Sequence, residues 1–252
     1  MNYKIEGNGE TLVFIHGLSD NLLYWEYLAS NLKYDYQILR VDLRGHGRSE
    51  RGNEEITIDT FVKDLNNLLE ELDISKVNLI GFSLGGAVAL EFTNKYPQKA
   101  NSLVLMSSFH KADAELKSTL NQFKNSLNVG FEEFYDYILP MVLCPKVIED
   151  NENELELLRE IASKNADTEA YIKAVDVCLN FNAEKYLQEI NIPTLILAGK
   201  YDEISTLDMQ KDLQSRIKNS KLIVFDDVKH NLLVGKNNKK ILTILKEFFK
   251  IS

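Results

Sequence analysis

Short apolar runs that alternate with helical patterns are the feature that most restricts the fold of this 252-residue chain. Each run has four to six residues, the length of a buried strand, and longer helical patterns separate the runs. Strands that alternate with helices form a parallel sheet covered by helices on both faces. The fold class is therefore predicted to be α/β, with these strands: Leu12–His16, Gln37–Asp42, Val77–Ile80, Ser102–Met106, Pro193–Ala198 and Leu222–Phe225.

One segment, residues 109–190, interrupts this alternation because it reads mainly as helix. We interpret it as an all-helical cap (lid) inserted into an α/β core that residues 1–108 and 191–252 form. The insertion holds 8 Lys/Arg against 16 Asp/Glu, so almost all of the chain's net charge of −9 belongs to it. Such a charge is typical of a solvated helical face.

The overall charge and the cysteine content exclude several classes of function. A net charge of −9 and a pI of about 5.1 oppose binding to a phosphate backbone or to anionic lipid. No apolar run approaches the roughly 20 residues that cross a bilayer. The first ten residues, MNYKIEGNGE, lack the basic and apolar parts of a secretory signal, and Cys144 and Cys178 are too few for a disulfide framework. We expect a cytoplasmic protein that binds neither nucleic acid nor membrane.

The sequence contains no arrangement typical of a metal or nucleotide site. The two cysteines lack metal-ligand spacing, and Gly7-Asn8-Gly9 is not followed by a third glycine where a dinucleotide-binding loop needs one. No cofactor or metal is therefore expected. The oligomeric state is not encoded in any readable pattern.

The stretch GFSLGG, residues 81–86, is the strongest indication of catalytic activity in the sequence. It reads G-x-S-x-G and lies between a predicted strand and a predicted helix, which is the setting of a nucleophilic serine. So sharp a turn forces Ser83 towards positive φ and needs glycines at 81 and 85, where a Cβ would collide with backbone. The alternative, a tight turn without catalytic purpose, has less support. Ser83 is the predicted nucleophile.

A serine hydroxyl needs a base, and in this arrangement an acid and then a histidine follow the serine along the chain. His16 and His46 precede Ser83, and His110 is expected to be a surface residue or, less favoured, to line the pocket. His230 follows the last predicted strand and is the predicted general base. Asp202 follows the strand that ends at Ala198 and is the predicted acid. Its rivals are Glu203, Asp226 and Asp227.

Backbone amides complete the predicted site. The N–H of Leu84 begins the helix after Ser83, and the N–H of Leu18 follows the turn after the first predicted strand. Both can donate to a developing oxyanion. His16, in the same turn, is expected to shape the loop.

Five motifs in this order give the chain a resemblance to the α/β-hydrolase superfamily: FIHGLSD (14–20), DLRGHGRS (42–49), GFSLGG (81–86), AGKYDEIS (198–205) and VKHNLL (228–233). The resemblance covers nearly the whole chain and implies a triad of Ser83, Asp202 and His230. It also implies an oxyanion hole from Leu18 and Leu84 and a cap near residues 109–190. The chain departs from the family in that the first of the usual eight strands is expected to be missing or much reduced, and in that it lacks the proline that often follows the acid. Serine at residue 83 excludes a haloalkane dehalogenase, which needs aspartate there.

Within this superfamily the chain most resembles small capped carboxylesterases, including pimeloyl-carrier-protein methyl ester esterases and 3-oxoadipate enol-lactonases. A small to medium neutral carboxylic ester is the first expectation for the substrate. The acidic cap disfavours an acidic carrier protein, and a cap with only Arg159 disfavours substrates with free carboxylates, such as those of an enol-lactonase or a menaquinone-pathway enzyme. Hydrolysis of a C–C bond or an enol lactone by the same triad remains an alternative. So does a ligand-sensing or signalling protein with slow turnover, because this fold hosts many functions.

Overall fold

The computed structural model describes residues 1–250 and contains a mostly parallel, twisted sheet. Across those residues the sheet has seven strands in the order β1-β3-β2-β4-β5-β6-β7, and only β1 is antiparallel to its neighbour. All the predicted strands form, and the predicted α/β class is confirmed. The strands are β1 Tyr3–Glu6, β2 Thr11–Ile15, β3 Gln37–Val41, β4 Val77–Phe82, β5 Ala100–Met106, β6 Thr194–Gly199 and β7 Ser220–Phe225.

Helices cover both faces of the sheet and fill the segment between β5 and β6. Residues 114–180 form α4 to α8, whereas the remaining helices connect consecutive strands or end the chain. A short 3₁₀ turn at Leu22–Trp25 precedes the first helix. The helices are α1 Glu26–Leu32, α2 Ile58–Glu71, α3 Leu84–Lys95, α4 Ala114–Val129, α5 Phe131–Val142, α6 Pro145–Asp150, α7 Glu152–Asn165, α8 Thr168–Asn180, α9 Leu207–Arg216 and α10 Asn237–Phe249.

Strand β1 was not predicted from the sequence. Its four residues pair antiparallel with β3 at one edge of the sheet, and three of them are exposed. An exposed edge strand does not need the continuous apolar run that marks β2, β4 and β6, all of whose residues are buried. The edge strand therefore leaves no strong pattern in the sequence.

Buried side chains form one apolar layer on each face of the sheet. One layer packs α2 and α3 against the sheet and is continuous with buried residues of α4, α5 and α8. The other packs α1 and α10 against the opposite face. Because β2, β4, β6 and β7 run parallel, the loops after them meet at one edge, where open α/β sheets bind ligands. Those loops carry Leu18, Ser83, Asp202 and His230.

Candidate active site

Ser83 occupies a strained turn between β4 and α3. Its backbone has φ 51° and ψ −117°, in the left-handed half of conformational space that side chains rarely adopt. A Cβ at Gly81 would lie 2.6 Å from the Cα of Gly86, so the glycines predicted from the motif are needed for the close approach of strand and helix. The turn leaves Ser83 partly exposed on the wall of a cavity.

Hydrogen bonds fix the backbone of the serine turn. The Ser83 amide donates to the Met106 carbonyl at 2.9 Å. The Ser83 carbonyl accepts from the Gly86 amide at 2.9 Å and from the Ser108 hydroxyl at 2.8 Å. The turn is therefore tied to both the first turn of α3 and the end of β5.

Of the two predicted oxyanion donors, Leu84 directly follows Ser83 and Leu18 lies in the loop after β2. Leu84 is the first residue of α3, where amide N–H groups have no acceptor within the helix and the helix dipole is positive. Leu18 lines the same cavity as Ser83, whereas the Leu84 side chain is buried. Two loops that lie far apart in sequence thus meet at the serine.

Asp202 and His230 are brought into direct contact. His230 Nδ1 lies 2.8 Å from Asp202 Oδ2, and the Asp202 side chain is fully buried. The carboxylate also accepts hydrogen bonds from the Ile204 amide at 2.8 Å, the Ser205 amide at 2.9 Å and the Ser205 hydroxyl at 2.7 Å. These donors hold the carboxylate in one orientation towards the imidazole.

The rival acids are engaged elsewhere. Glu203 Oε1 accepts a hydrogen bond from Lys229 at 2.6 Å. Asp226 is exposed and lies 3.4 Å from Lys200 Nζ, and Asp227 binds Lys236 and Asn237. Among these carboxylates only Asp202 contacts His230.

The other histidines have structural surroundings. His16 Nδ1 lies 2.7 Å from the Gly17 carbonyl and its Nε2 accepts from the Leu43 amide at 3.0 Å, so the ring fixes two loops. Burial lowers the pKa of His16 to about 4 and that of His46 to about 3.

The expectation that His110 lies at the surface is wrong: it is 2% exposed, with Nε2 3.2 Å from Asp212, and it does not line the cavity.

The cavity beside Ser83 and His230 has a volume of about 310 Å³ and is mainly apolar. Helices α4, α5, α7 and α8 supply most of its wall. Their lining side chains are Leu116, Leu120, Phe123, Phe131, Phe134, Tyr135, Ile138, Leu139, Val142, Leu155, Leu158, Ala162 and Cys178. The cavity is comparable to pockets that enclose small organic ligands.

Two polar cavity residues next to the site were missed from the sequence. Asp20 lies at the end of the FIHGLSD motif, and burial raises its pKa to about 7, partly offset by the nearby positive charge of His230. Tyr24 stacks on Phe82 with ring centroids 4.7 Å apart and donates to Asn231 at 3.1 Å. The position of Asp20 within a recognisable motif was the available signal, but no pattern shows that its carboxyl faces the cavity.

Neither a metal centre nor a membrane span is found in the described part of the chain. Residues 1–250 contain no group of three or more His, Cys, Asp or Glu side chains arranged to bind a metal ion. Within the same residues no helix combines the length and the apolar character needed to cross a bilayer.

Comparisons with known proteins agree with this architecture. The family model of the alpha/beta hydrolase fold matches residues 10–236. A solved α/β hydrolase enzyme from a Medee basin deep-sea metagenome library superimposes with a TM-score of 0.92 at 25% identity, over 99% of this chain and 94% of its own. The chain therefore belongs to the α/β hydrolase fold family, a family of hydrolase enzymes.

The curated relatives include an uncharacterized protein, an esterase and an enol-lactonase. An uncharacterized Mycobacterium tuberculosis protein is 32% identical over 56% of this chain, and the match spans only 40% of that relative's length. The pimeloyl-[acyl-carrier protein] methyl ester esterase of Aliivibrio fischeri is 23% identical over 95% of this chain and 93% of its own. The 3-oxoadipate enol-lactonase 2 of Acinetobacter baylyi is 25% identical over 90% and 85%. The resemblance to small esterases and enol-lactonases is thus confirmed.

Proposed function

We propose that the protein is a serine hydrolase that cleaves small to medium carboxylic esters through an acyl-enzyme on Ser83. The observation that carries this proposal is the 2.8 Å contact between His230 Nδ1 and Asp202 Oδ2 at a cavity that Ser83 also lines. A buried acid, an imidazole and a serine on a strained turn are the components of a serine hydrolase triad.

Each residue has a definite role in the proposed reaction. Ser83 Oγ attacks the ester carbonyl carbon while His230 Nε2 takes its proton, and the Leu18 and Leu84 amides stabilise the oxyanion. His230 then returns the proton to the alkoxide, which leaves as an alcohol. Asp202 holds Nδ1–H and stabilises the imidazolium without taking the proton. Water, activated by His230, releases the carboxylic acid and restores the serine.

The proposed substrate class follows from the cavity. Its wall is mainly apolar and its volume of about 310 Å³ suits a short to medium acyl chain. We propose that residues 109–190 act as the cap, because helices α4, α5, α7 and α8 supply most of that wall. The Aliivibrio relative is named as a methyl ester esterase, which supports an ester substrate.

An enol lactone with a free carboxylate suits the cavity less well. Such a substrate needs a cation, and Arg159, the only arginine of residues 109–190, binds Asp136 at 2.8 Å and does not line the cavity. The same triad could open a neutral lactone, which needs no cation. Because Arg159 does not line the cavity, an ester without a free carboxylate remains the proposed substrate.

A cytoplasmic location is part of the proposal. Cys144 and Cys178 are free thiols, and burial raises the pKa of Cys178 to about 12, so this thiol is not reactive. Free thiols are typical of a reducing compartment.

Hydrolysis of p-nitrophenyl esters from acetate upward in chain length tests the proposal, with Ser83→Ala as the blank. A rate maximum at one chain length that the variant lacks would support a serine esterase and measure the depth of the cavity. Rates equal to the blank for all esters would contradict the proposal. Ligand-induced thermal stabilisation would then favour a sensing protein.

A further inference from the structure

Asp20 places a carboxyl group beside the proposed oxyanion hole. Its amide donates to the Gly17 carbonyl at 3.4 Å, which closes the turn that presents the Leu18 amide. A Cβ at Gly17 would stand 3.4 Å from Asp20 Oδ2 and 2.9 Å from the ring of Phe82, the residue before Ser83. The Asp20 carboxyl is therefore close to the end of β4 and lines the same cavity as Ser83.

This carboxyl does not have an evident structural task. Asn21, not Asp20, caps the following 3₁₀ turn by accepting from the Leu23 amide at 2.9 Å. The Tyr24 hydroxyl donates to Asn231, and within residues 1–250 the Asp20 carboxyl has neither a hydrogen-bond donor nor an ion-pair partner. A partly buried carboxyl without a partner is costly for the fold, as expected for a group that contacts a ligand.

The charge of the cavity is set by Asp20 together with His230. Among residues 1–250, those that line it include no lysine, arginine or glutamate. A substrate carboxylate in this space would find no cation except a protonated His230, which must be neutral to act as a base. It would also face the Asp20 carboxyl in a medium of low polarity, where like charges repel strongly.

We propose that Asp20 is a specificity-determining residue that restricts the site to acyl groups without a carboxylate. The inference rests on the proposed esterase function and narrows its substrate class. It separates this chain from hydrolases of carboxylate-bearing lactones, whose substrates carry the charge that Asp20 repels.

Two p-nitrophenyl esters of equal acyl length test the proposal. The pentanoate ends in a methyl group and the hemiglutarate ends in a carboxylate. At pH 8 we expect the protein to prefer the pentanoate by at least about tenfold in kcat/KM, because two like charges repel in a cavity of low polarity. Asp20→Asn, which keeps the shape and removes the charge, should reduce the preference to about threefold or less.

A matched control removes one negative charge outside the cavity. Asp208→Asn alters a carboxylate that is 90% exposed at the start of α9, so it changes the net charge equally but should leave the preference intact. Asp20→Ser provides a second variant if Asp20→Asn does not fold. Equal rates on both esters, or a preference that survives in the Asp20 variants, would overturn the inference.

A binding experiment separates this inference from the proposed function. Calorimetry with Ser83→Ala measures the affinities of methyl pentanoate and monomethyl glutarate without turnover, and Ser83→Ala/Asp20→Asn shows whether Asp20 causes any difference. A charge preference in binding, without hydrolysis by the unmodified protein, would sustain the role of Asp20 and reject the esterase. Hydrolysis by the unmodified protein together with equal affinities for the two ligands would sustain the esterase and reject the role of Asp20.

Discussion

Lys229 donates a 2.7 Å hydrogen bond from Nζ to the carbonyl oxygen of Pro140, and so joins the loop of His230 to helix α5. Pro140 lies in the last turn of α5, where carbonyls have no partner within the helix. The Asn231 amide donates to another of these carbonyls, that of Val142, at 3.0 Å. Residues on both sides of His230 therefore complete the C-terminus of a cavity-lining helix.

Lys229 also connects the base to the acid loop. Its Nζ lies 2.6 Å from Glu203 Oε1, and Glu203 follows Asp202. We predict that Lys229→Met lowers kcat several-fold with a smaller change in KM, because the base and acid loops lose their common anchor. The free energy of unfolding should fall by about 1 kcal/mol, since the ammonium group is only partly buried. Steady-state kinetics and thermal melts measure both effects.

Lys200→Met is the matched control for this anchor. Lys200 lies 3.4 Å from the exposed Asp226 and has no contact with α5. Its replacement should leave both kinetic constants unchanged. An equal loss of kcat in the two variants would mean that the effect comes from charge and not from the bond to Pro140.

Ser83→Ala should abolish covalent labelling by a fluorophosphonate while the melting temperature stays close to that of the unmodified protein. The alanine keeps the Cβ and the backbone bonds that hold the turn, and only the nucleophilic oxygen is lost. Ser19 provides the control, because it lines the same cavity and also has positive φ, 60°. Labelling that persists in Ser83→Ala, or disappears in Ser19→Ala, would assign the nucleophile elsewhere.

Asp202→Asn should lower kcat by about 10⁴-fold, as expected when a triad histidine loses its ionised partner. The amide can still accept hydrogen bonds from Ser205 and Ile204 through its oxygen, so the loop should keep its shape. Asp226→Asn and Asp227→Asn should retain activity because neither carboxylate contacts His230. A large loss of kcat in one of these two variants, with Asp202→Asn active, would contradict the assignment of the acid.

Local rules explain why much of this site could be predicted. The turn at Ser83 is encoded by glycines at fixed spacing between a strand and a helix, and parallel strands bring their following loops to one edge of the sheet. Asp202 follows β6 and His230 follows β7, so both candidates could be found from chain order alone. Their 2.8 Å contact is consistent with that choice.

Contacts between residues far apart in the chain explain which features of the site could not be predicted from the sequence. Lys229 and Pro140 are 89 residues apart and meet only after the segment between β5 and β6 folds over the sheet edge. His110 is buried where this segment meets α9: the Ala183 amide donates to the His110 carbonyl at 2.7 Å, and Asp212 of α9 lies 3.2 Å from its Nε2. No local periodicity encodes such contacts.

The charge preference that we assign to Asp20 should depend on pH. Burial raises the pKa of Asp20 to about 7, so the carboxyl is mainly neutral at pH 6 and mainly charged at pH 8. The groups that face it are His230, Tyr24 and Tyr171, and both tyrosines stay neutral because burial raises their pKa values. We predict that the ratio of kcat/KM for p-nitrophenyl pentanoate over hemiglutarate increases from pH 6 to pH 8. Because the prediction concerns a ratio, an effect of pH that both esters share cancels.

The same titration should appear in the stability of the fold. An acid whose folded pKa lies near 7 and whose usual value is 3.8 binds more protons when folded, so its contribution to stability is lost as pH rises between those values. The Asp20→Asn variant has no carboxyl group at this position and therefore does not lose stability in this way as pH rises. We predict that its melting temperature, compared with that of the unmodified protein, increases from pH 4 to pH 8. A difference that stays constant over this range would show that the Asp20 carboxyl titrates normally and carries its charge at pH 6.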